Sequence, residues 1–247
     1  MKLQFKYLLA VMLLCSCSGK MRHYESVKAR PDDVHELNLS SGSITIFPSE
    51  IVTMTNLRQL NLFRNRLTSV PGEIGNLQKL EELSLQSNQL TILPDGITNL
   101  KQLRKLNLRF NKLQSLPDSI GKLTSLEVLD LRNNRLTHLP ESIGNLTRLE
   151  VLYLDDNLLI SLPESLKLLS HIEVLSVGKN ELEGDLPAFL GTMQSLKELN
   201  LSYCGGSANL PSEIGNLRYL DILTIDRSQV VPYEIGRGNQ RLQIIVK

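Results

Sequence analysis

Residues 103–125 read LRKLNLRFNKLQSLPDSIGKLTS, and residues 126–148 read LEVLDLRNNRLTHLPESIGNLTR. The two stretches align without a gap, and both follow the pattern L-x-x-L-x-L-x-x-N-x-L-x-x-L-P-x-x-I-x-x-L-x-x. The same pattern defines units that start at Val34, Leu57, Leu80, Leu103, Leu126, Leu149, Ile172, Leu196 and Leu220. Successive starts are 23 residues apart six times and then 24 residues apart twice. The chain is therefore built from about nine tandem repeats.

The apolar positions of one repeat predict its path. Around Leu106 and Leu108 the alternation of apolar and polar residues predicts a short strand. Strands from adjacent repeats would form one parallel sheet, each strand ~4.8 Å from the next. Asn111 would turn the chain, and Pro117 favours the start of a short helical turn, where its missing N–H costs little. No single coil can bury its leucines alone, so several coils must stack.

The asparagine of the pattern predicts a ladder of amide side chains that bond their own loop and the neighbouring coil. Its members are Asn65, Asn88, Asn111, Asn134, Asn157 and Asn180. The terminal repeats break the pattern, with Gly42 in the first repeat, Cys204 in the eighth and Ser228 in the ninth. Irregular ends are expected, because terminal coils must meet water.

The repeat resembles the leucine-rich-repeat family over about residues 34–247. Its Leu-Pro-x-x-Ile form resembles the bacterial and intracellular-scaffold subclass, whereas residues 182–187 (LEGDLP) in repeat seven are similar to the plant-type form. The resemblance implies an α/β fold of the leucine-rich-repeat solenoid type. We expect a curved horseshoe with a concave parallel sheet and short helical turns on its convex side.

The first residues have the features of an export signal. Lys2 and Lys6 precede an unbroken apolar run at residues 8–14, which is too short to cross a bilayer but suits a signal peptide. The following Leu14-Cys15-Ser16-Cys17 resembles a bacterial lipoprotein signal, with small Ser16 just before the modified cysteine. The resemblance implies a signal peptide at residues 1–16 and lipid on Cys17. Residues 17–33 are expected to be a tether and N-terminal cap, and residues 34–247 the repeat domain.

Composition argues against several classes of protein. The formal net charge is +1, without the basic excess of a nucleic-acid binder. Only Cys204 lies outside the leader, so an internal disulfide is not expected. The four histidines are far apart and show no metal-ligand spacing. Cys204 occupies a ladder position and has no histidine on its own or a neighbouring rung. We therefore expect no enzyme, no metal and no cofactor.

The candidate binding residues are the outward side chains of the concave sheet. Phe63, Phe110, Tyr153 and Tyr203 are expected to be exposed there, and aromatic and arginine side chains are typical of binding hot spots. A basic patch accompanies them, followed by acidic residues. The predicted partner-binding set is Phe63, Arg64, Arg109, Phe110, Arg132, Tyr153, Asp155 and Tyr203. The nearby carboxylates of Asp130 and Asp155 could instead neutralise the arginines, which would leave only a solvated surface.

The predicted function is a non-catalytic module that binds a protein or peptide ligand through this face. With the leader, it indicates a lipid-anchored monomer in a bacterial cell envelope, facing the periplasm or the cell surface. The repeats also resemble intracellular signalling scaffolds of the small-GTPase-associated kind. A third alternative is the recognition part of a larger enzyme system, such as a ubiquitin ligase or a receptor kinase.

Overall fold

The structure is a computed structural model that describes residues 18–205, 209–235, 239 and 241–247. It begins with an α-helix, α1 (Ser18–Val27). Ten short strands follow in the described part of the chain: β1 (Glu36–Asn38), β2 (Gln59–Asn61), β3 (Glu82–Ser84), β4 (Lys105–Asn107), β5 (Val128–Asp130), β6 (Val151–Tyr153), β7 (Val174–Ser176), β8 (Glu198–Asn200), β9 (Ile222–Ile225) and β10 (Gln243–Val246).

The strands form one parallel sheet in chain order, from β1 to β10. Equivalent residues pair across neighbouring strands, so that Leu106 of β4 lies opposite Leu129 of β5. The central residue of each repeat strand points inward, while its neighbours point to the other face, as a period of two requires. The solenoid predicted from the repeat pattern is therefore confirmed.

Short 3-10 helices form the opposite side of the coils. They span Pro31–Asp33, Ser49–Thr53, Gly72–Asn76, Asp95–Asn99, Ile120–Lys122, Glu141–Asn145, Glu164–Leu168, Ala188–Thr192 and Ser212–Asn216. The repeat proline precedes most of these helices in an extended conformation, such as Pro140 at φ −70° and ψ 145°. The isoleucine of each turn and the leucines of each coil then fill one continuous aliphatic core.

The asparagine ladder has the same geometry on six repeats. Asn134 Nδ2 donates to the carbonyl of Leu131 in its own repeat at 2.9 Å and to that of Leu108 in the preceding repeat at 3.0 Å. Its Oδ1 accepts the backbone N–H of Leu113 at 3.1 Å. Each inward carbonyl thus accepts from two amides, because Asn111 also donates to Leu108. The ladder satisfies backbone groups that the strand pairing leaves inside the coil.

Cys204 continues the coil without an amide side chain. In its repeat the N–H of Leu182 donates to the backbone carbonyl of Cys204 at 2.8 Å, where an asparagine Oδ1 would otherwise accept. The buried Gln229 lies against the Cys204 sulfur, with Nε2 at 3.8 Å from Sγ. Backbone and glutamine groups therefore replace the ladder at the C-terminal end.

The helix α1 covers the first repeat. Its Tyr24 is only 4% exposed and belongs to the core, and the phenol donates to Glu50 Oε2 at 3.1 Å. Burial, with Glu50 nearby, raises the pKa of Tyr24 well above its usual value. Lys20 donates to the carbonyl of Ser40 at 3.1 Å. This contact keeps the end of the leucine core out of water.

The predicted signal peptide and the lipid attachment residue Cys17 lie outside the described residues. Within the ranges that the structure describes, no helix has the length and apolarity needed to span a bilayer.

Candidate binding face

Each strand delivers two side chains to the concave face. In repeat four they are Asn107, the last residue of β4, and Arg109, two residues later. The backbone N–H of Arg109 donates to Asn107 Oδ1 at 3.1 Å. The same side-chain bond recurs in repeat five, where Asp130 Oδ1 accepts the N–H of Arg132 at 3.1 Å. These bonds hold the chain as it leaves the sheet.

The next residue of most repeats has a left-handed backbone. Phe110 has φ 55°, Arg64 φ 53° and Tyr203 φ 57°, although L residues with large side chains rarely adopt this region. The other repeat members in this conformation are Ser41, Ser87, Asn133, Asp156 and Lys179. Because the conformation recurs from repeat to repeat, it belongs to the turn that precedes the ladder. The sequence carried no signal for it, since glycine is missing from these positions.

Arg132 is already paired. Its Nε and Nη2 donate to the two oxygens of Asp130 at 2.9 and 2.6 Å, and its guanidinium carbon lies 4.2 Å from the centre of the Tyr153 ring. The hydrogen bonds to Asp130, which is 5% exposed, raise the pKa of Arg132. The alternative considered from the sequence, that Asp130 neutralises an arginine, is therefore observed for Arg132.

Arg109 has a different environment. Its guanidinium carbon lies 4.4 Å from the centre of the Phe110 ring, and its Nε reaches Asn133 Oδ1 only at 3.4 Å. Among the described residues it forms no ion pair. Phe110 is 44% exposed beneath it. Arg109 and Phe110 therefore present a cation and an aromatic ring together, with most donors of the guanidinium still open.

The four aromatic residues are not equally accessible. Phe110 and Tyr203 are exposed, as the sequence predicts, with Tyr203 51% accessible. Phe63 and Tyr153 are only half-buried or intermediate in exposure, which differs from that prediction. Arg132 covers one side of Tyr153, and Arg64 lies 5.9 Å from the Phe63 ring centre. An outward position does not guarantee exposure when a neighbouring long side chain covers the ring.

Repeats six to eight form the acidic half of the face. Asp155 accepts hydrogen bonds from Ser176 Oγ at 2.6 Å and Asn200 Nδ2 at 2.8 Å, so one network crosses three repeats. Gly178 permits this approach, because a Cβ there would lie 2.9 Å from both Asp155 Oδ1 and Asn200 Nδ2. Asp155, listed in the predicted binding set for its charge, thus also holds its neighbours in place.

The residues that could suggest chemistry have a structural environment. Cys204 is fully buried, and burial raises the pKa of its thiol to about 11. At neutral pH the sulfur is therefore protonated, and a thiol in that state is a poor nucleophile. Within the described ranges, no three His, Cys, Asp or Glu residues form a group that could hold a metal ion.

Comparison with known proteins agrees with this architecture. A family model described as a leucine-rich repeat region matches residues 37–134, 95–207 and 128–230, which together span most of the chain. No curated protein matches the sequence.

Solved structures show the same fold. A leucine-rich-repeat protein from Leptospira interrogans is 30% identical with a TM-score of 0.53, and the match covers 87% of this chain and 72% of that one. The plant peptide hormone receptor RGFR1, solved in complex with RGF2, is 33% identical with a TM-score of 0.75. That match covers 85% of this chain but only 35% of the receptor chain.

An internalin from Listeria monocytogenes supports the fold alone, at 23% identity and a TM-score of 0.76, with 89% of this chain and 63% of that chain covered. The repeat pattern, the parallel sheet, the family match and these structures agree. The chain belongs to the leucine-rich-repeat family.

Proposed function

We propose that this chain is a non-catalytic module that binds a protein or peptide through its concave face, anchored by lipid in a bacterial cell envelope. The observation that carries the binding proposal is the Arg109–Phe110 pair. A guanidinium without a carboxylate partner lies 4.4 Å from an exposed ring, in the middle of a continuous parallel sheet. The pair offers an acidic group a charge-assisted hydrogen bond and an apolar group a flat contact.

The rest of the face supports a macromolecular partner. Basic and aromatic side chains occupy repeats two to five, whereas Asp155 and Asp156 follow in repeat six. A uniformly charged polymer would meet repulsion on one half of this surface, but a protein or peptide carries charges of both signs. The peptide-bound plant receptor among the structural matches is consistent with this use of the fold.

Arg109 and Phe110 are the anchors that we expect to matter most. Once a partner has been captured with the purified chain, Arg109→Ala and Phe110→Ala should each weaken binding by at least about 1 kcal/mol in titration calorimetry. The reason is that each substitution removes half of a preformed contact. Lys122→Ala changes an exposed side chain on the convex turns and is the matched control. If Lys122→Ala weakens binding and the concave variants do not, the concave proposal is wrong.

The anchoring proposal rests on the Leu14-Cys15-Ser16-Cys17 sequence. Attachment of diacylglycerol to the Cys17 sulfur, followed by cleavage before Cys17, would leave a lipidated amino terminus. Stable anchoring takes more than one acyl chain. Because α1 begins at Ser18 and Tyr24 is packed in the core, few residues would separate the lipid from the folded repeats. The proposal therefore places the first repeat close to the membrane surface.

Mass spectrometry of the protein isolated from its native membrane tests the anchor. We expect the amino-terminal peptide to begin at Cys17 with a mass increase that corresponds to lipid. Cys17→Ser should abolish the modification and release the protein from the membrane fraction, whereas Cys15→Ser should retain both. An unmodified amino terminus at any later residue would rule out Cys17 as the lipidated residue.

A further inference from the structure

A second surface follows the ladder on the flank of the solenoid. We define the flank strip as the residues directly after the ladder position, namely Arg66, Gln89, Lys112, Arg135, Leu158 and Glu181. Backbone hydrogen bonds join this part of adjacent coils: Arg135 N–H donates to Leu113, Leu158 to Leu136 and Glu181 to Leu159, at 2.9 to 3.0 Å. Residues at equal positions of adjacent repeats are therefore neighbours along the strip.

The strip changes its charge at repeat six. Before it lie the exposed cations Arg66, Lys112 and Arg135, and after it lies the exposed Glu181, with Glu183 two residues further on. None of the ion pairs formed by the described residues includes any of these five. The charges of the strip thus lack the local compensation that Arg58, Arg104 and Lys105 have elsewhere.

The point where the sign changes is apolar and exposed. Leu158 is 40% exposed and Ile160 is 46% exposed. Other repeats carry polar or charged residues at both positions: Arg66, Gln89, Lys112, Arg135 and Glu181 at the first, and Thr68, Thr91, Gln114, Thr137 and Glu183 at the second. Single exposed aliphatic residues are ordinary. Two columns that turn apolar in the same repeat indicate a surface that another molecule covers.

We propose that this surface binds a second copy of the chain through a two-fold axis at Leu158 and Ile160. A two-fold interface places residue i of one copy on residue j of the other, and residue j on residue i. Arg135 lies one rung before the axis and Glu181 one rung after it. Rotation by 180° therefore sets Arg135 of each copy opposite Glu181 of the other, and Leu158 and Ile160 meet their own counterparts.

The overall charge permits this association. At a formal net charge of +1 two copies repel each other weakly at long range, so local complementarity decides the encounter. The flank strip lies beyond the left-handed turn and the ladder asparagines, so both concave faces remain open for another partner. The proposal is independent of the concave binding site, and it departs from the monomer that the sequence alone predicts.

Sedimentation equilibrium of the full chain in a density-matched non-ionic detergent tests the dimer. At low salt and protein concentrations up to about 0.5 mM, as a small interface requires, we expect a reversible monomer–dimer equilibrium. Arg135→Glu and Glu181→Arg each place two like-charged pairs in the interface, so each should weaken dimerisation by about tenfold or more.

Mixing the two variants gives the most specific result. Arg135→Glu supplies acids at both sites and Glu181→Arg supplies bases at both, so an equimolar mixture should form a heterodimer that neither variant forms alone. The double variant Arg135→Glu/Glu181→Arg should dimerise like the original chain. Leu168→Arg changes an exposed leucine on a 3-10 helix and should have no effect.

Three outcomes would overturn the proposal. The first is a monomer at every concentration. The second is a dimer that the single charge reversals leave unchanged. The third is a dimer that survives them but is lost in Ile245→Lys, which would place the contact at the exposed strand β10 instead.

Discussion

Replacing Leu131 by alanine is expected to lower the free energy of unfolding by about 2–5 kcal/mol. Leu131 is fully buried, and the leucines at the same position of the adjacent repeats, Leu108 and Leu154, are fully buried as well. Alanine leaves a cavity between three coils that are held in register by the ladder, so the surroundings can relax only in part. Denaturant titration of the variant and the original chain measures the loss.

The effect should spread beyond repeat five. Each coil contacts only its neighbours, so a weakened coil lowers the stability of the coils stacked on it. Hydrogen exchange should therefore accelerate in repeats four to six together. Leu168→Ala is the matched control, because Leu168 is 53% exposed, and it should cost less than about 1 kcal/mol. A loss under about 0.5 kcal/mol for Leu131→Ala would contradict the inward assignment.

Asn134→Ala is expected to cost about 2–4 kcal/mol, although alanine removes little apolar surface. The buried N–H of Leu113 would lose its acceptor, Asn134 Oδ1. The carbonyls of Leu108 and Leu131 would each lose one of their two amide donors but keep the other, from Asn111 and Asn157. The orphaned N–H should therefore dominate the loss.

Denaturant titration also measures this change, and the same repeat supplies the control. Asn145 is exposed at the end of a 3-10 helix, so Asn145→Ala should stay within about 0.5 kcal/mol of the original chain. Equal losses for Asn134→Ala and Asn145→Ala would show that the ladder does not stabilise the fold. Asn134→Asp offers a further comparison, because a carboxylate keeps the acceptor but loses both donors.

The repeat pattern alone was sufficient for the fold and for the ladder. One spacing, held from Val34 to Leu220, places every leucine, asparagine and proline in an equivalent environment. An inward leucine or a ladder asparagine has one place to go in a stacked coil, because burial and backbone hydrogen bonding allow no other. The role of such a residue therefore follows from its position in the repeat.

The state of the surface residues depended on the tertiary structure. Arg109 and Arg132 occupy the same position of adjacent repeats, yet Arg132 is paired with Asp130 and Arg109 is not, because β4 ends in Asn107 where β5 ends in Asp130. That difference is visible in the sequence two residues before each arginine, but its outcome depends on the geometry of the chain as it leaves the strand. The binding role of the predicted concave set stays a prediction.

The flank strip shows the same division. Every one of its residues was present in the repeat alignment, and the basic patch was recognised, but the acidic arm and the apolar centre were not connected to it. Their proximity arises from backbone hydrogen bonds between coils, as between Glu181 and Leu159, and their exposure from the turn that precedes them. A repeated sequence determines which residues share a column, since the period is covalent. Which members of that column are covered, paired or open is decided only when the coils stack, because those states depend on contacts between repeats.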